Sequence, residues 1–482
     1  MGTVRTSSAV PVTAVNLSRP ASQNSPLLAA NPDEPRLVAL ASRIDGPSQF
    51  GCQLHLSGDG GTTWIPARPV PTLPKGAERC YAPEIAFDAK GTLYYLFTGL
   101  HGRGNTPMGV FLTTSRDWGR SFGVPRRILG ANNYSVRMGV DRERDRLHLV
   151  WLHATAEPSL GGLPPTSNPI QAAHSDDGGM TFSMPVVVSD AERPRAVAPG
   201  LALGPRGSVH VAYYDLQRDA IDYQGLEGPA WQGTWSLVVS TSGDAGGHFG
   251  PGTVIDDTIV PPERVMLIFT MPPPSLVADD KGRVYVSWWD GRHGDWDVFT
   301  ARSADGARSF GRGVRMNDDP VGNGRHQYLP RLSVSDDGRL DAIFYDRRDD
   351  PENVRNHVSY TSSLDGGRSF TPNLRITTAS FFSDTGSRYP IPSAEGLVEF
   401  GSRIALHSGR SGALAAWTDT RMAPRGQEHQ DVFAARITLG GDAAPPSRWE
   451  VPTAAAAAGV MGVGAGLAVL VGVRLRRRRR SP

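Results

Sequence analysis

An eight-residue stretch recurs six times in this 482-residue chain, and the recurrence limits the possible folds more than any other feature. The copies begin at Ser57 (SGDGGTTW), Ser115 (SRDWGRSF), Ser175 (SDDGGMTF), Ser242 (SGDAGGHF), Ser303 (SADGARSF) and Ser363 (SLDGGRSF). Each suits a tight turn between two antiparallel strands: the carboxylate and hydroxyl accept turn N–H groups, glycine supplies positive φ, and the final aromatic packs inward. The aspartates fall at Asp59, Asp117, Asp177, Asp244, Asp305 and Asp365. An array with a period of about 60 residues is a propeller or a solenoid.

Around these turns the chain reads as short strands, A to D. The first unit has apolar or alternating runs at 26–30, 36–42 and 52–56, then a short run after Trp64. Later units repeat the order, with A–B hairpins at 84–97, 201–215, 275–290 and 331–346 built on glycine-bearing turns. A seventh unit begins near Gly401 and lacks both the repeat and a fourth strand. The stretch 9–17 alternates like a strand and can supply the missing one beside 431–437, which closes the ring and leaves no open sheet edge. The expected fold is all-β: a seven-bladed propeller of four-stranded antiparallel blades, or six-bladed if the first and last units merge.

The repeats resemble the Asp boxes of the bacterial neuraminidase repeat propellers, whose best-known members are sialidases. The resemblance covers 9–440. Sialidases use an arginine triad for the sugar carboxylate, a Tyr nucleophile assisted by Glu, and an Asp acid/base, with the first arginine in an Arg-Ile-Pro motif entering blade one. Here that slot reads Asn24-Ser25-Pro26-Leu27-Leu28, without arginine. On the resemblance, Tyr328 (or Tyr389) as nucleophile, Glu263 and Asp290 form the candidate catalytic set, and Arg292, Arg347 and Arg421 the candidate triad.

In a four-stranded blade the A–B and C–D turns share one face, and the B–C loops and D–A crossings the other. The Asp boxes are C–D turns, so ligand chemistry is expected on the opposite face, around the central channel. The B–C loops carry a recurring aromatic-Asp-Arg cluster: Tyr214-Asp215 with Arg218, Trp289-Asp290 with Arg292, Tyr345-Asp346 with Arg347 and Arg348, and Trp417-x-Asp419 with Arg421. Unit one has the related Arg43-Ile44-Asp45. One reading is a polar pocket, with Asp346 and Asp419 among its walls, because the planar guanidinium fork matches a carboxylate. The other is ion pairing that fixes strand ends, and even repetition favours this architectural role. Non-repeated segments are the better ligand candidates. The insertion 216–234 offers Tyr223 and Trp231 to stack on sugar faces, and the crossing 261–274 contains Glu263.

Net charge is +2, yet the six arginines at 474 and 476–480 leave −4 for the rest, so no basic nucleic-acid surface is indicated. No metal or nucleophile motif stands out; only the acidic loop 346–353 (DRRDDPEN) has oxygens that suit Ca²⁺. The two cysteines, Cys52 and Cys80, lie in neighbouring units and are either one bridge between blades or two buried thiols. After a linker at 441–453, residues 454–473 contain no charge and are long enough for a transmembrane helix, about 30 Å at 1.5 Å per residue. The arginine-rich tail 474–482 then orients the propeller outward, with the tail cytoplasmic. Residues 1–8 read as a disordered N-terminus without a leader, so the expectation is that the chain begins downstream of a true start or lacks a processed leader. The expected function is a membrane-anchored extracellular propeller that binds glycans or surface proteins opposite the Asp boxes. The alternative is an exo-sialidase-like glycoside hydrolase.

Overall fold

The computed structural model describes residues 4–6, 10–11 and 22–439, apart from 46–49, 70–71, 103–105, 156–167, 220–232, 262–271, 387–399 and 424–428. Its strands form seven antiparallel sheets, one per sequence unit. Blade one consists of Ser22–Ala30, Val38–Asp45, Phe50–Ser57 and Ile65–Pro69, paired in that order. The next five blades repeat the meander, with first strands at Arg79–Phe87, Asn133–Asp141, Ala196–Leu203, Ser275–Ala278 and Gln327–Val334. The second strands Val209–Asp215, Val284–Asp290 and Leu340–Asp346 are buried at every residue, because neighbouring blades cover both of their faces. Their near-continuous apolar runs follow from that burial.

Blade seven consists of Ala405–Gly409, Gly412–Asp419 and Asp431–Leu439, completed from the other end of the chain. Val10 and Pro11 pair with Ala434 and Phe433, and Val4–Thr6 pairs with Ile437–Leu439. The N-terminal segment thus closes the ring, and seven blades rather than six result. The closing strand also starts earlier than 9: Val4–Thr6, inside the stretch read as disordered, is paired, since the open edge of Asp431–Leu439 offers a row of unsatisfied N–H and C=O groups. The linker 441–453, the membrane span 454–473 and the tail 474–482 lie outside the described residues. Among the described residues no helix is long and apolar enough to cross a membrane.

The Asp boxes are the expected turns. In blade one, Ser57 Oγ accepts the Gly61 N–H at 2.8 Å and donates to Asp59, whose Oδ1 also accepts the N–H of Thr62 and Thr63. Gly60 and Gly61 both have positive φ, +72° and +85°. In the degenerate boxes Ala245 and Ala307 take such conformations despite their Cβ, and His248 replaces the hydroxyl with a ring nitrogen 2.7 Å from Asp244. Gly60 N–H binds the Arg36 carbonyl in the A–B turn of its own blade, so boxes and A–B turns share a face. Cys52 and Cys80 form a disulfide from the third strand of blade one to the first strand of blade two, Cα–Cα 5.8 Å. With a sequence separation of 28, loop closure in the unfolded chain accounts for roughly 3.5 kcal/mol of stabilisation.

Candidate functional site

The Asp-Arg clusters at the B–C ends resolve into locks within and between blades. Asp290 is fully buried; it accepts Trp288 Nε1 at 2.9 Å and Arg292 Nε at 2.8 Å, while Arg292 reaches Asp256 at 2.8 Å and lies over the Phe299 ring. Asp419 repeats the arrangement with Trp417 at 2.9 Å, Arg421 at 2.7 Å and the Phe433 ring beneath. Asp346 pairs with Arg348 at 2.7 Å, not with Arg347, which donates to Asn356, the Asn353 carbonyl and Ser383. In unit four the partner of Asp215 is Arg193 at 3.0 Å, and Arg218 is exposed. Arg292, Arg347 and Arg421 are thus each held inside the protein, the behaviour expected of architectural pairs.

Neither Tyr328 nor Asp290, the described members of the candidate catalytic set, lines the channel. Tyr328 is fully buried, its hydroxyl donates to Asn356 at 2.7 Å, and it is absent from the channel wall. Asp290 is a lock residue. Glu263, Tyr223, Trp231 and Tyr389 lie outside the described residues. The loop 346–353 engages its three aspartates with Arg348, Arg375 and backbone N–H groups, and among the described residues no three His, Cys, Asp or Glu side chains are placed to hold a metal.

A different cluster occupies the centre. The first strands of blades one, two, three, four and six share an irregularity: Ser25, Ala82, Ser135, Ala198 and Leu329 have positive φ, and the register slips just after each. The bulge turns the residue two positions later toward the axis. Leu27, Glu84, Arg137, Gly200 and Arg331, with Ser275 and Arg403 from the two blades without the bulge, are among the residues that line a central cavity of about 200 Å³. Three guanidiniums and one carboxylate thus face one another. Arg137 Nη1 is 3.0 Å from Glu84 Oε1, and Arg403 Nη1 bonds the same oxygen. Burial alone would raise the Glu84 carboxyl, but the charges of Arg403 and Arg137 outweigh it and hold it below the usual carboxylate value.

Arg331 differs from the other two. Among the described residues it makes no ion pair, and its Nε, withdrawn from solvent, has no hydrogen-bond partner; nor has Nη2 of Arg137. Burial, reinforced by the Arg403 charge, lowers the Arg331 guanidinium to about 10. A half-buried cation with open donors and no carboxylate of its own costs the fold something and favours an arriving anion. Gly200 is required on the opposite wall for another reason: a Cβ there would sit 2.6 Å from the Pro274 carbonyl oxygen.

The ring residues escaped sequence reading, though a signal exists. Pro26-Leu27-Leu28, Pro83-Glu84-Ile85, Pro199-Gly200-Leu201, Pro274-Ser275-Leu276 and Pro330-Arg331-Leu332 share a Pro-x-[Leu/Ile] frame, and Val136-Arg137-Met138 and Ser402-Arg403-Ile404 stand in its place in blades three and seven. Aligning the frames isolates the middle residue.

Comparison with protein-family models gives no match, and neither does comparison with curated protein sequences. Solved structures are similar in fold. A protein of unknown function from Dyadobacter fermentans has 13% identity and TM-score 0.50 over 90% of this chain and 99% of its own. An ulvan lyase has 12% identity and TM-score 0.47 over 90% and 96%. A sialidase variant from Streptococcus pneumoniae has 12% identity and TM-score 0.43 over 89% and 70%. At these identities the likeness is one of fold.

Proposed function

We propose that this chain is a carbohydrate-binding propeller that takes an anionic group of its ligand, a carboxylate or a sulfate ester, into the central channel from the face opposite the Asp boxes. The observation that carries this reading is the open guanidinium of Arg331 in a ring already holding two further arginines. Guanidinium donors match a planar or tetrahedral oxyanion and lose little entropy in doing so. Binding without turnover is favoured over hydrolysis, because the hydroxyl of Tyr328 is directed to Asn356 and not to the channel.

We place the propeller outside the cytoplasm, anchored through 454–473. The Cys52–Cys80 bond supports an oxidising compartment. The reading is tested by calorimetric titration with glucuronate and with its uncharged counterpart glucose. The acid binds and the neutral sugar does not. Arg331→Met weakens acid binding by about ten- to hundredfold, the value of one charge-assisted hydrogen bond. Equal binding of both sugars, or an Arg331→Met protein that binds normally, would refute it; turnover of a fluorogenic glucuronide or sialoside would instead favour the hydrolase.

A further inference from the structure

We propose that Glu84 tunes the charge class of anion the channel prefers, an inference that rests on the channel being an anion site. Glu84 Oε1 is shared by guanidiniums from two other blades, Arg137 at 3.0 Å and Arg403. Both are tied down further: Arg403 donates to the carbonyls of Ser25 at 3.2 Å and Pro83 at 2.5 Å, and Arg137 to that of Pro199 at 3.2 Å. Two of the three arginines therefore already hold a carboxylate that belongs to the protein. What remains open is the Arg331 guanidinium and one Arg137 nitrogen.

A group with one negative charge compensates Arg331. A second negative charge on the same group would also face the Glu84 carboxylate across a cavity of about 200 Å³, where like charges repel through little intervening water. With three guanidiniums and one carboxylate the ring keeps a net charge of +2, so Glu84 narrows the advantage a dianion would have over a monoanion such as a sugar carboxylate or sulfate ester. Without the Glu84 charge it becomes a three-guanidinium site that prefers dianions such as a phosphate monoester.

Methyl sulfate and methyl phosphate separate charge from shape. They are nearly isosteric, and with a second phosphate pKa of about 6 they carry one and about two charges at pH 8. Calorimetry with the full chain gives the wild-type ratio of methyl sulfate to methyl phosphate affinity as the reference. Glu84→Gln keeps the side chain's size and should shift the preference toward methyl phosphate by at least about tenfold, as expected from removing a unit charge a few ångströms away. An unchanged preference, or weaker binding of both anions, would overturn the proposal, because Glu84 would then only orient the arginines.

Should Glu84→Gln fail to fold, the arginines decide. Arg331→Met weakens methyl sulfate binding by about ten- to hundredfold, whereas Arg403→Met, which removes a guanidinium Glu84 already occupies, weakens it less than about tenfold. Equal losses would overturn the proposal, since they are what three arginines gripping one anion together would give. If Arg331→Met leaves binding intact, or neither anion binds wild type or Glu84→Gln, the channel reading itself fails. If binding depends on Arg331 and the Glu84 outcomes are not met, only the present inference fails.

Discussion

Asp419 is withdrawn from solvent and holds Trp417 Nε1 and Arg421 at under 3 Å, whereas Arg331 is withdrawn at Nε and held by no carboxylate. Their substitutions should therefore act in opposite directions. Asp419→Ala strands the indole N–H and a guanidinium that is only 14% exposed, a loss of about 3 kcal/mol visible as a lower urea midpoint. Arg331→Met replaces a half-buried charge that pairs with no carboxylate by an apolar chain of similar length. Stability should be unchanged or higher by up to about 2 kcal/mol, even as anion binding weakens. A residue whose removal stabilises the fold is kept for what it binds. If Arg331→Met instead destabilises as much as Asp419→Ala, Arg331 belongs with the locks.

At the scale of elements, visibility in the sequence followed the distance between partners. Asp290 and Arg292, or Asp419 and Arg421, are two residues apart, so their pairing could be read from the B–C loops directly. Glu84 and Arg403 are 319 residues apart, and Glu84 and Arg137 are 53 apart, on strands that otherwise look like ordinary inner strands. Only ring closure brings them together. The Asp boxes were legible because the Ser and Asp side chains of each bond within the same eight residues; the channel was not, because bulges in five of the first strands aim its residues and the short Pro-x-[Leu/Ile] frame that marks most of them carries no chemistry of its own. The closing strand tests how far the ring depends on its terminal element. Removing residues 1–11 uncovers the outer edge of Asp431–Leu439, where Val4–Thr6 and Val10–Pro11 now pair. The truncated protein should melt at lower temperature and form soluble oligomers by edge pairing, seen by light scattering. A monomer with the wild-type midpoint would mean that three-stranded blade seven suffices.

Across the whole molecule, buried imidazoles are distributed over most of the ring, and acid should act on many blades together. Burial lowers His55, His148, His210 and His326 to about 4, and lowers His174, His357 and His407 as well. A lowered imidazole is neutral in the folded protein and takes up a proton on unfolding below its ordinary value of 6.5, so its stability is complete above 6.5 and is lost as pH falls toward 4. Each such group can remove up to about 1.4 kcal/mol per pH unit in that window. The box carboxylates form a second, lower limb. Hydrogen bonds from Ser121 and Ser309 hold Asp117 and Asp305 at about 2, so their stability is lost only as pH falls from the usual carboxylate value toward 2. Thermal midpoints should be level from pH 7 to 8, descend from 6.5 to 4, and descend again below. His55 isolates one source, because both its ring nitrogens are buried without partners and it pairs with Leu40 in the sheet. His55→Leu should be more stable than wild type at pH 7.5, by removing two unsatisfied polar atoms, and should lose about 2 kcal/mol less than wild type between pH 7.5 and 5 in urea unfolding. Parallel losses in the two proteins would show that His55 takes up no proton on unfolding in that window, and the descent would then have to come from the imidazoles of the other blades.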